Sequence, residues 1–76
     1  MNTDRNNRYL SQDMQFFAAA LSEALVSVWE EDPASVYVEI ERGYIEGYTP
    51  DVVRIRNEHS GVLTHYSRDT AMFQRV

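Results

Sequence analysis

The sequence predicts an α+β domain of two layers, with one long N-terminal helix packed on an antiparallel β-meander of three to four strands. Three observations predict it. From Gln12 to about Glu31 there is neither Gly nor Pro, and helix formers are dense. After Pro33 the hydrophobic period changes from that of a helix to that of a strand. Turn chemistry then separates the alternating runs at two points.

Residues 1 to 10 are polar and read as a flexible N-terminal arm, leaving 11–76 as the single domain. Ser11 is placed to cap the helix, with Asp13 favouring the positive end of its dipole. Met14, Phe17, Ala18, Leu21, Ala24, Leu25, Val28 and Trp29 fall in one stripe, the spacing of a core-facing helix. Gln15, Ser22, Glu23 and Glu30 fall opposite. Phe16 and Val26 project outward from that stripe, Phe16 beside Ala20 and Ser27. The helix ends at Asp32-Pro33, because proline disfavours helical geometry in the residue before it.

In the first strand Val36, Val38 and Ile40 alternate with Tyr37, Glu39 and Glu41; in the second, Val53 and Ile55 alternate with Val52, Arg54 and Arg56. A loop at Glu46-Gly47-Tyr48-Thr49 sets Glu41 opposite Arg54 and Glu39 opposite Arg56, with Ile40 meeting Ile55 on the other face. Gly61, after His59-Ser60, suits a tight turn closed by a glycine bulge. Val62 to Ser67 form the third strand. Thr70 to Val76 read as a short edge strand or one helical turn.

Composition narrows the function classes. The chain has 76 residues, 43 % of them apolar, enough for a small core. It has no cysteine, which removes disulfides, zinc-thiolate sites and thiol catalysis and suits a cytoplasmic setting. Twelve acids against seven bases give a net charge of −5, and every base is arginine. That balance speaks against nucleic acid, whose phosphates it repels. No apolar run approaches the roughly 20 residues that span a bilayer, so no membrane is expected. MNTDRNNRYL lacks the apolar core of a signal peptide.

No constellation in the sequence carries chemistry. Glu39 and Glu41 facing Arg54 and Arg56 read as a charged sheet face, since an arginine holds each acid ionised, whereas acid–base catalysis needs a carboxylate with a raised pKa. His59, His65, Glu58 and Asp69 lack the spacing that aims two rings at one metal ion. Ser60, Ser67, His65 and Asp69 lack a strained nucleophile turn. Gly43, Gly47 and Gly61 are too scattered to cradle phosphate. A cleft of about 300 Å³ holding His65 would be the sign of an enzyme. No cofactor or metal is expected.

The binding features are of a different kind. Tyr37 shares the sheet face of the charged ladder, and Tyr44 and Tyr48 flank its loop; tyrosine and arginine are favoured at binding hot spots. Glu30, Glu31 and Asp32 crowd a helix end whose dipole they oppose. Together Glu30, Glu31, Asp32, Tyr37, Glu39, Glu41, Tyr44, Tyr48, Arg54 and Arg56 form the expected partner-binding set. The expected function is a small acidic, non-enzymatic inhibitor or adaptor that occludes a basic surface of a larger protein. In size, acidity and lack of motif the chain resembles the single-domain inhibitors that phages and mobile elements encode against host defence or host enzymes. The alternative is a homodimeric structural or regulatory accessory protein, assembling through Phe16, Ala20 and Ser27 on the outer helix face.

Overall fold

The stretch that reads as one helix divides in two. In the computed structural model, which describes residues 8–76, a two-residue strand β1 (Tyr9–Leu10) precedes the helix α1 (Asp13–Leu21), and a strand, β2 (Val26–Glu31), follows. The long helix is thus corrected to nine residues. Its N-cap is Gln12 rather than Ser11, and the Gln15 Oε1 accepts the backbone N–H groups of both at 3.0 and 2.8 Å. At its C-terminus Glu23 turns left-handed, with φ of 53°, and the N–H groups of Glu23 and Ala24 close on Ala20 and Ala19. Those bonds satisfy the last carbonyls of the helix.

Residues 25–29 carry both periods at once. Leu25, Val28 and Trp29 continue a helical stripe, while Val26 and Val28 alternate with Ser27 and Trp29. The strand prevails because β2 gains ladders on both sides, with β6 and with β3. Helix propensities of a few tenths of a kcal/mol per residue do not oppose that.

The remaining strands are β3 (Tyr37–Tyr48), β4 (Val52–Asn57), β5 (Leu63–Ser67) and β6 (Ala71–Arg75). All pair antiparallel in one six-stranded sheet, ordered β1-β6-β2-β3-β4-β5. The described residues are therefore mostly β with one short helix, not a long helix on a three- to four-stranded meander. The segment expected as an edge strand or helical turn, β6, lies between β1 and β2. Gly61 adopts the left-handed conformation its turn requires, with φ of 75°. The expected flexible arm over residues 1 to 10 lies mostly outside the described residues, and its last two form β1. Among the described residues no helix is long and apolar enough to cross a membrane.

The sheet has to curl. β6 stands second in the order and β5 sixth, about 19 Å apart if the sheet were flat. The linker Arg68–Thr70 reaches about 14 Å at most. Closure brings Tyr66 of β5 to Phe73 of β6, with ring centres 6.4 Å apart. Val26, Val28, Ile45, Val53, Ile55, Ala71 and Phe73 line the hollow of this curl. Each large side chain among them contributes about 1.5–3 kcal/mol on burial.

α1 closes one end of the hollow. Phe16 packs edge-on against Phe73 at 5.5 Å and beside Tyr48 at 5.9 Å. Phe16 and Val26, expected outward, are thus core residues, while Met14, Phe17 and Leu21, expected in the core, face solvent. The reason is phase: the expected stripe takes its direction partly from Ala24 to Trp29, which are not helical.

Candidate functional site: the acidic end of the sheet

Between Glu31 and Tyr37, β2 and β3 join through a tight turn. The Asp32 carboxylate builds it, accepting the N–H groups of Ala34 at 2.8 Å and Val36 at 3.0 Å, and Ser35 takes a left-handed φ of 63°. Asp32 is therefore a turn-former between two strands and not a helix end.

The turn holds Glu30 and Glu31 at the close of β2 beside Tyr37 at the start of β3, where Glu31 and Tyr37 are cross-strand partners. The β5–β6 turn brings Asp69 and Thr70 to the same place. These five residues line a shallow depression of about 380 Å³. Among the described residues none of Glu30, Glu31, Asp32 and Asp69 has an ion-pair partner. Val36, Val38 and Ile40 stand exposed on the same hairpin. Beyond Arg42, β3 pairs with β4, but over Tyr37–Glu41 its strand partner is β2 alone.

Behind the acids lies a polar cluster that sequence reasoning missed. Glu41 sits across from Val28 and so faces the hollow. Its carboxylate accepts the Tyr66 hydroxyl and, at 3.1 Å, the Asn57 Nδ2. Burial pushes the Tyr66 phenol above its ordinary pKa, and the hydrogen bond to Glu41 and the charges of Glu41 and Glu30 add to the rise. Asn57, Tyr66 and Asp69 carry no local signal, because only the curl of the sheet brings them to this end.

The expected charge ladder is not formed. The β3–β4 turn falls at Thr49-Pro50-Asp51, where the Thr49 hydroxyl accepts the N–H groups of Asp51 and Val52, and β3 runs on through the expected loop. Glu46 bulges out of register, which sets Arg54 opposite Gly47 and Arg56 opposite Tyr44. Glu39 instead pairs with Arg42 at 2.6 Å, along its own strand, and Arg56 with Glu46 at 2.5 Å. That hydrogen bond raises the Arg56 guanidinium above its ordinary pKa.

The expected partner-binding set is therefore divided between separate places. Glu30, Glu31, Asp32 and Tyr37 gather at the acidic end, with Glu39 following on the same strand. Tyr44, Arg54 and Arg56 lie on β3 and β4 beyond it, with Arg56 5.2 Å over the Tyr44 ring. Tyr48 turns inward to Phe16. Phe16, Ala20 and Ser27 make no common seam: Phe16 is buried, and Ser27, buried on β2, accepts the Trp29 indole N–H at 2.9 Å.

A depression of about 390 Å³ does contain His65, with Gly47, Tyr48, Thr49, Val52 and Arg54 around it. His65 stands across from Arg54. No carboxylate is among these lining residues to orient the imidazole, and the Thr49 hydroxyl is engaged by its own turn. His59 lies 3.3 Å from Glu58 in the β4–β5 turn. Among the described residues no three His, Asp or Glu side chains converge as metal ligands would.

No family model matches the chain, and no curated protein or solved structure matches it.

Proposed function

We propose that the protein is a non-enzymatic binding module, an inhibitor or adaptor that seats its acidic sheet end on a basic surface of a larger protein and occludes it. The carrying observation is the convergence of Glu30, Glu31 and Asp69 around Tyr37, uncompensated by any arginine among the described residues and bordered by exposed Val36, Val38 and Ile40. Uncompensated like charges cost free energy in the isolated chain, and a cationic partner relieves that cost while steering its own approach. Tyr37 and the valines supply the apolar contact that charge alone lacks. The action is placed in the cytoplasm, the setting that a cysteine-free chain suits.

The test is affinity capture from host lysate with the full chain immobilised, repeated with a Glu30→Arg/Glu31→Arg variant. A specific partner should be held at low salt, shed at high salt and lost with the double reversal. It should be retained by an Arg54→Glu variant. A partner held equally by the acid-reversed protein would overturn the reading.

A further inference from the structure

Helix α1 shows solvent the half that a water-exposed helix normally hides. Met14 is 78 % exposed, Leu21 74 % and Phe17 55 %. At spacings of three and four residues they share one face, with exposed Ala18 between them. Asp13 and Ser22 bound this face, and the Asp13 carboxylate is already taken by Arg68 at 2.7 Å. An apolar patch of this kind on a small protein marks an interaction surface.

The chemistry of the face selects its occupant. Residues 1–7, Met-Asn-Thr-Asp-Arg-Asn-Asn, hold a single large apolar side chain and cannot supply a cover. A helix that lies on a membrane presents lysine or arginine to anionic lipid. Gln12 to Glu23 contains no basic residue and two acids, on a chain of net charge −5. The cationic partner of the acidic end gains nothing from an uncharged face. A second copy sets its own Met14, Phe17 and Leu21 against it, apolar on apolar. A cysteine-free chain of 76 residues also has few other means of adding to a small core.

The local shape favours a second copy as well. Beside the C-terminal half of α1 a hollow of about 370 Å³ is lined by Phe17, Ala20, Leu21, Tyr44 and Ile45 together with Glu23 and the Glu46–Arg56 ion pair. If two helices cross antiparallel about a twofold axis, the Met14 of each copy arrives at the Leu21 of the other, over this hollow. Methionine is unbranched and fills irregular gaps. Ala18 at the crossing lets the helices approach closely, and antiparallel dipoles attract.

We propose that the exposed face of α1 is a twofold interface between two copies of this chain, with Met14 of each seated in the hollow beside Leu21 of the other. Glu30, Glu31, Tyr37 and Asp69 are not part of this face, so the inference does not depend on the function proposed above. A face of nine helical residues is small beside the roughly 1,600 Å² of a standard interface, and the dimer should dissociate on dilution.

The experiment is sedimentation velocity on the full chain over a wide concentration series, with Met14→Lys and Leu21→Glu variants, circular dichroism confirming that each is folded. The wild type should pass from monomer to dimer as concentration rises, and each variant should stay monomeric. An equimolar mixture of the two variants should dimerise again. In that mixed dimer the introduced ammonium meets the introduced carboxylate, while the remaining Leu21 meets the remaining Met14. A wild type that is monomeric throughout would overturn the proposal, as would a dimer that survives both substitutions. Variants that are monomeric both alone and mixed would overturn the seating of Met14 on Leu21. A monomeric wild type that co-sediments with phosphatidylglycerol vesicles would give the face to a membrane instead.

Discussion

The guanidinium carbon of Arg68 lies 4.6 Å above the centre of the Phe16 ring. This contact joins the β5–β6 turn to the helix that closes the hollow. The same side chain donates to Asp13 Oδ1 at 2.7 Å, to the Thr49 carbonyl at 2.6 Å and to the Ser11 carbonyl at 3.1 Å. One arginine thus holds the entry to α1, the β3–β4 loop and the turn that makes the sheet curl.

Removing it should loosen all three together. Arg68→Ala is expected to cost about 2–4 kcal/mol, from charge-assisted hydrogen bonds and a cation–π contact that do not add independently. Arg68→Lys should recover only a small part, because an ammonium cannot fork between three acceptors while stacking on a ring. Urea unfolding reads the effect as a lower midpoint at unchanged slope. An alanine variant within about 0.5 kcal/mol of wild type would show that the clasp contributes little.

The end of α1 gives a prediction whose sign is informative. Glu23 is left-handed, a conformation that costs an ordinary residue roughly 1–2 kcal/mol and glycine almost nothing. After the extra unfolded-state entropy of glycine is subtracted, Glu23→Gly should stabilise the protein by about 0.5–1 kcal/mol. A domain of this size then melts higher by about 2–8 °C. In an uninterrupted helix the same change would destabilise by about 1 kcal/mol. A fall in melting temperature would therefore return residues 22–31 to the helix.

That position also shows why the sequence is only half legible. A glycine at residue 23 would announce the helix end; a glutamate gives no such signal. Val26 and Val28 fit both periods, and only the ladders to β6 and β3, formed with residues more than ten positions away, decide between them. Where turn chemistry is explicit, expectation and structure agree: Gly61 is left-handed and β5 begins within a residue of its expected start. Pro50 is the overlooked signal at the β3–β4 turn, and missing it displaces the predicted ladder. At the acidic end Glu30, Glu31 and Tyr37 are legible as unusual residues, whereas Asp69 joins them only through the curl. The exposed stripe of α1 is recognisable as apolar, but periodicity says which residues share a face and not which way that face points.

Two glycines on β3 should respond unequally to alanine. A Cβ at Gly43 would overlap the Arg56 carbonyl oxygen and sit 2.8 Å from Ile55 Cγ2, at the buried point where β3 passes from its ladder with β2 to its ladder with β4. Backbone cannot step aside there without breaking the pairing, so Gly43→Ala should cost more than about 2 kcal/mol. The nearest atoms to a Cβ at Gly47 belong to the guanidinium of Arg54, an exposed and flexible side chain. Gly47→Ala should cost less than about 1 kcal/mol. Chemical denaturation of the two variants side by side checks the order, and equal costs would contradict the register.

The Tyr66 hydroxyl should give the protein an alkaline limit. Burial and the neighbouring Glu41 raise its pKa above the ordinary value of 10.0, so the folded state keeps the phenolic proton after the unfolded chain has begun to lose it. Above that pH the native state binds more protons than the unfolded one, and stability falls as pH rises. The contribution is complete below pH 10.0 and is lost progressively above it. In a spectrophotometric titration, one of the five tyrosines should therefore ionise late, or only on unfolding. Tyr66→Phe should remove that late component and flatten the alkaline loss of stability. Near neutral pH it should cost about 0.5–1.5 kcal/mol, because the Glu41 carboxylate keeps Asn57 but loses a donor. A Tyr66→Phe protein whose alkaline unfolding is as steep as that of the wild type would assign the slope to other groups.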